Sequence, residues 1–234
     1  MPQAEQRLIF LGYPLQIDTP TPPAIPPIEL VPLMSLEKED AANVTLIRAA
    51  SHTGTHVDAP SHVELHGITI SDFRPDELIF QHPVVVNLTL ADCQVVQPVA
   101  LEPFLAEMNR ADLLLFRFGY GEIRQADPGR YSSQCPGFGV ESAQFLRDHL
   151  PALRAIGMDV PSLACIAELD RTMSAHNVLL GGRGRRFLVI EDMKLDEDLS
   201  TLEEVILAPW WIRGLDGGPC LVIGKLKSVR GNDQ

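Results

Sequence analysis

The chain is poor in cysteine, in aromatic residues and in positive charge, and it has no long apolar run; each shortage removes a class of protein. Lysine and arginine number 19 against 31 acidic residues, a net charge of −12, so the basic face that nucleic-acid phosphates require is missing. The four cysteines, at 93, 135, 165 and 220, form no C-x-x-C pair. Neither a disulfide framework nor a thiolate metal site is expected, and buried thiols are. No stretch approaches the roughly 18 uncharged apolar residues that a bilayer span needs, so no membrane partner is expected. The N-terminal MPQAEQRLIFLGYPL carries an acidic residue, and Pro14 interrupts its apolar patch, unlike a secretory signal. The expected location is the cytoplasm.

What remains is globular composition: 234 residues, 45% hydrophobic and 21% charged. That length fits one domain over residues 1–234. Seven of the 19 prolines fall between Pro14 and Pro32. They favour extended polyproline geometry, so residues 13–33 are expected as an arm and not as a central strand. The arm is a passive leader, a strap over a site, or a reach to a neighbouring subunit.

Runs of β-branched and aliphatic residues predict strands at 44–50, 84–90, 113–118, 156–158, 187–190, 205–208 and 221–226. Helices are expected over 101–110 and over 140–149, where apolar residues recur three and four apart. The acidic run 195–205 reads as a solvated turn and short helix. Phe116, Phe118 and Tyr120 alternate along a strand and are expected to face a core. Helices set between strands predict an α/β architecture on a mixed sheet.

Chemistry concentrates in eleven residues, His52-Thr53-Gly54-Thr55-His56-Val57-Asp58-Ala59-Pro60-Ser61-His62. Every candidate ligand there holds an even position, so an extended chain would present His52, His56, Asp58 and His62 on one face. Full extension at roughly 3.3 Å per residue would leave His52 about 13 Å from His56, too far to share an ion. The chain must tighten between them, and Gly54 is the residue that permits it. Imidazole plus carboxylate suits zinc, manganese or iron better than calcium or magnesium. His66, His82 and His149 lack such company and are expected to be ordinary surface or core residues.

Downstream, His176 precedes a glycine-rich turn and the apolar strand Phe187 to Ile190, which ends in Glu191. A carboxylate following four apolar residues is costly to bury unless paired or metal-bound. Arg183, Arg185 and Arg186 are expected at a solvated hairpin tip, the other reading being a grip on a substrate carboxylate. Trp210 and Trp211 are expected in a core or an interface. The arm and the Trp210 segment together predict a homodimer or homotetramer.

The string from His52 to His62 resembles the H-x-G-T-H-x-D-x-P-x-H signature of the metal-dependent cyclase-family hydrolases, which include kynurenine formamidases and isatin hydrolases. The resemblance extends to Leu113–Gly119, to Gly157-Met158-Asp159-Val160-Pro161-Ser162, to the H-x-x-L-L segment at His176–Leu180, to Glu191, and to Gly214-Leu215-Asp216-Gly217-Gly218-Pro219. It implies a barrel-like swivelling β/β/α fold with the histidine segment at the mouth. In members with two ions it implies His52 and His56 on the first, Asp58 bridging, His176 on the second and Glu191 closing the site. His62 would be the general acid/base, and the cofactor one or two divalent ions, zinc or manganese. The implied activity is hydrolysis of a C–N bond in a small amide or cyclic amide. Two other readings stay open. His56-x-Asp58 with His176 reproduces the facial triad of an iron and 2-oxoglutarate oxygenase, Arg186 serving as the oxoacid's arginine. Alternatively the ion only holds strands together.

Overall fold

The structure, a computed structural model, describes residues 7–182 and 186–227. Its strands run β1 (Arg7–Phe10), β2 (Glu29–Met34), β3 (Val44–Arg48), β4 (His56–Asp58), β5 (Ile79–Phe80), β6 (Pro83–Asn87), β7 (Val95–Val96), β8 (Leu113–Arg117), β9 (Gly137–Phe138), β10 (Ala155–Met158), β11 (Leu188–Glu191), β12 (Leu202–Pro209) and β13 (Gly217–Leu226). The main sheet has the order β5-β12-β13-β4-β11-β10-β8-β6, with β1 also paired to β13. Strands β6, β8, β10 and β11 are parallel, whereas β4, β12, β13 and β5 join antiparallel. Strand β12 comes back against β6, curling this mixed sheet into a nearly closed, barrel-like α/β fold.

The parallel strands are apolar on both faces because both faces are covered. Alternate residues Leu113, Leu115, Ala155, Leu188 and Ile190 point into one core with Val57, Phe80 and Val222. The intervening Leu114, Phe116, Ile156, Met158 and Val189 enter a second core with Leu146 and Leu179 of the flanking helices. Phe116, Phe118 and Tyr120 belong to that second core, as their alternation predicts. Truncating any one of these leucines to alanine costs about 2–5 kcal/mol.

The helix Val140–His149 forms where its periodicity predicts. The one expected over 101–110 does not: it is split into Pro98–Leu101, a 3-10 turn Glu102–Phe104, and Leu105–Met108. Pro103 lies inside it, with no N–H for a continuous ladder. Three strands end earlier than expected, at Arg48, Asn87 and Arg117. The acidic run holds no helix; Leu195 and Leu199 are buried, and β12 starts at Leu202. Trp210 and Trp211 are exposed in the turn between β12 and β13, so they are not core. Cys135 and Cys165 are buried thiols, but Cys93 and Cys220 are only half-buried. No helix among the described residues is long and apolar enough to cross a membrane.

The proline arm stays out of the main sheet. Its first part lies on the histidine loop: the Tyr13 N–H donates to Thr55 Oγ1, and Leu15 and Thr19 pack against Gly54. Its second part becomes β2, which pairs only with β3 in a ribbon whose strand residues are all exposed.

Candidate metal centre

Strand β4 is the floor of the site. It is inserted between β13 and β11, and its register sets Glu191 and Pro219 opposite His56. Directly opposed residues share a face with Cβ atoms about 5 Å apart, so the backbone alone brings Glu191 to His56. Val57 points the other way into the core, leaving His56 and Asp58 on the site face. The close approach of β13 depends on Gly217, since a Cβ there would stand 2.3 Å from the Val57 carbonyl oxygen.

The two expected bends are present. Gly54 has a φ of +62°, a left-handed conformation that folds His52 back toward His56, and their rings stand 5.2 Å apart. Pro60–His62 is a 3-10 turn, which returns His62 to within 4.2 Å of the His52 ring. Thus the shared face of a fully extended strand holds for His56 and Asp58, while turns deliver His52 and His62. His176 reaches the same place from the buried face of the helix Ser174–Leu180.

Asp58 divides its oxygens. Oδ1 lies 2.8 Å from His52 Nδ1 and 3.5 Å from His56 Nε2, while Oδ2 lies 3.8 Å from His176 Nε2. Glu191 spans the same gap, with Oε2 at 3.1 Å from His56 Nε2 and Oε1 at 3.4 Å from His176 Nε2. The Leu163 N–H holds that Oε1 at 2.6 Å. Donor atoms of His52, His56 and Asp58 fall within 4.8 Å of one another, as do those of Asp58, His62 and His176. All six residues named from the sequence therefore converge. His66, His82 and His149 are exposed and form no part of the cluster.

The electrostatics call for a cation. Burial alone would raise Glu191, but the imidazoles of His176 and His56 that face it hold it well below the ordinary carboxylate range. Burial alone would lower His52, but Asp58 and Asp216 push it up to about 10. His56 and His176 are likewise raised by Glu191 and Asp58 against the effect of burial. Yet His56 Nε2 and Asp58 Oδ2 remain buried without a hydrogen-bond partner. Such atoms are rare in folded proteins, and divalent-ion coordination satisfies a bare imidazole nitrogen and a bare carboxylate oxygen together. His56 fits this further: its other nitrogen, Nδ1, donates to the Gly54 carbonyl at 2.7 Å, which fixes the tautomer with Nε2 facing the site. The donor set fits a divalent transition metal.

Two supports had no role assigned from the sequence. Asp216, in the turn before β13, lies 2.7 Å from His52 Nε2 and 3.3 Å from His62 Nδ1. Asp192, at a φ of 54° just after Glu191, takes a bidentate pair from buried Arg124 and a hydrogen bond from Tyr131, and its carbonyl accepts from Thr55. That network pins the corner next to Glu191 to the corner next to His56. The H-x-G-T-H spacing offered a signal for Thr55, but nothing local singles out Arg124. Arg183 and Arg185 lie outside the described residues. Arg186 is no free grip for a substrate carboxylate: it pairs with Glu77 and covers the Phe73 ring.

Comparison with known proteins agrees with this geometry. Residues 9–164 match the family model described as "Putative cyclase". The chain is 27% identical over 211 residues to a kynurenine formamidase of Bacillus anthracis, covering 90% of this chain and 93% of that one. Its fold is similar to isatin hydrolase A of Labrenzia aggregata, with a TM-score of 0.78 at 20% identity over 95% of this chain and 94% of the other. An isatin hydrolase bound to the product analogue thioisatinate aligns equally well, with a TM-score of 0.78 at 17% identity over 95% and 93% of the two chains.

Proposed function

Because the chain belongs to the cyclase family, we propose that its histidine–carboxylate centre hydrolyses a C–N bond in a small amide or cyclic amide with the help of one or two divalent ions. The single observation that carries this is Asp58, whose two oxygens face separate imidazole sets. His52 and His56 would hold a first ion with Asp58 bridging; His176 would hold a second, and Glu191 would close the site. A divalent ion bound there supplies Lewis acidity, polarising a carbonyl and lowering the pKa of a water toward about 7. His62 takes the proton from the attacking water and gives it to the leaving nitrogen, a role suited to an imidazole. The arm, packed on the Gly54 loop, holds the segment carrying His52 and His56.

The oxygenase reading loses its distinguishing residue, because Arg186 is engaged by Glu77. It also leaves His52, His62 and Glu191 without work. A purely structural ion is poorly supported, since such sites are usually closed and cysteine-rich, whereas no cysteine is among the grouped donors.

The apolar side chains exposed on the β2–β3 ribbon, among them Leu30, Leu33 and Ile47, support association of copies of this chain into a dimer or tetramer. A ribbon of two strands is marginal on its own in water.

The test is elemental analysis of protein purified without chelator, followed by a screen of amides, imides and lactones with that metal restored. Bound zinc or manganese with amide or imide turnover is expected. Metal-free protein that hydrolyses as fast, or turnover that requires 2-oxoglutarate, would overturn the reading.

A further inference from the structure

We propose that Asp216 is the positioning residue that joins the metal-binding half of the site to the proton-transferring half, by fixing which nitrogen of His62 carries its proton. The inference rests on the reading of His62 as the general acid/base.

Asp216 is built into the segment it serves. Its backbone carbonyl accepts the Ala59 N–H at 2.8 Å, and Ala59 caps the 3-10 turn that bears His62. The preceding Leu215 carbonyl accepts the Ile70 N–H at 3.0 Å, and Leu215 packs on the inner core. Main chain and side chain of one residue therefore hold the same loop, so the carboxylate is not a free surface group.

A single oxygen, Oδ2, meets both rings, at 2.7 Å from His52 Nε2 and 3.3 Å from His62 Nδ1. An ionised carboxylate only accepts, so both contacts need an N–H on the imidazole side. His52 must then carry hydrogen on Nε2, which leaves Nδ1 bare toward Asp58, where a first ion would sit. His62 must carry hydrogen on Nδ1, which leaves Nε2 bare to accept a proton. One ring nitrogen of His62 lies within 4.8 Å of donor atoms of Asp58 and His176, so the ring borders the centre. When Nε2 takes a proton from water, the imidazolium faces the carboxylate of Asp216; when it passes that proton to the leaving nitrogen, the starting tautomer returns. A carboxylate behind a catalytic imidazole acts in this way elsewhere, holding the tautomer without being protonated itself.

The experiment uses zinc-saturated protein labelled with 15N at histidine and reads the His62 tautomer from long-range 1H–15N spectra, beside steady-state kinetics. In the wild type, His62 is expected as the Nδ1–H form. In Asp216→Asn, whose amide can donate to Nδ1 as readily as accept from it, the Nε2–H form should appear. There kcat should fall about 100-fold or more at saturating zinc, with KM changed less than about threefold. Asp216→Glu should restore the Nδ1–H form at least in part, which separates positioning from loss of fold. A wild-type Nε2–H tautomer, a zinc-shifted His62 Nδ1, or an unchanged tautomer in Asp216→Asn would each overturn the proposal. The tautomer is read whether or not a substrate is found. An Nδ1–H form lost in Asp216→Asn, in a protein without amide turnover, would therefore support the carboxylate's role while removing the proposed function.

Discussion

The two halves of the site are built differently. His56, Asp58, His176 and Glu191 form an inner half on two adjacent strands and a helix, with side chains at most 5% exposed. His52, His62 and Asp216 form an outer half on turns, with side chains 17% to 35% exposed. Buried charges tolerate no misplacement, so strand register fixes the inner half. Turns leave the outer half within reach of solvent, as the proposed proton transfer requires. On the proposed reading the inner half, with His52 reaching in from its turn, holds the ions, and His62 in the outer half moves the proton.

Substitutions that hit one half and spare the other test this division. The largest effect is expected for Asp58→Ala, which removes the group common to both imidazole sets. Bound metal and turnover should disappear together, with activity down at least about a thousand-fold, and metal retained at full turnover would break the account. Next, His62→Ala should keep its metal in elemental analysis while kcat drops about 10²- to 10⁴-fold. A His62→Ala protein that lost its metal would show the two halves to be one.

A third expectation concerns pH. In metal-free protein His52 is held at about 10, above its value of about 6.5 in the unfolded chain. Its contribution to stability is then complete below about pH 6.5 and lost as pH rises through about 10. A divalent ion replaces that proton, so the gap in Tm between loaded and metal-free protein should widen with pH across this window. A gap that narrows over the same range would contradict the exchange of proton for ion. The smallest effect on chemistry is expected far from both halves. Leu33→Lys with Ile47→Lys on the β2–β3 ribbon should lower the mass seen by light scattering with kcat within about twofold, and an unchanged mass would remove the ribbon from assembly.

The inner half was legible in the sequence for a physical reason. His56 and Asp58 share a strand face by simple alternation, whereas Glu191, a carboxylate at the end of an apolar strand, read equally well as the start of the acidic loop until the family resemblance gave it a role. Gly54 likewise declared the bend that brings His52 in. Asp216 lay in a turn that the family resemblance picked out, but no local feature assigned it a role among 31 acidic residues. Its role exists only because β13 pairs with β4, an arrangement set by contacts far apart in the chain. Arg124 was hidden for the same reason, its partner Asp192 being 68 residues away. In the fold, the helix Val140–His149 was readable from its period, whereas Pro103 broke the one expected at 101–110 despite a suitable apolar pattern.

The most direct measurement is anomalous diffraction at the metal edge from crystals of zinc-loaded protein. A peak is expected about 2.0–2.2 Å from His52 Nδ1, His56 Nε2 and an oxygen of Asp58, with any second peak on the His176 side of that carboxylate. Zinc bound elsewhere, or a centre in which Asp58 touches no ion, would contradict it.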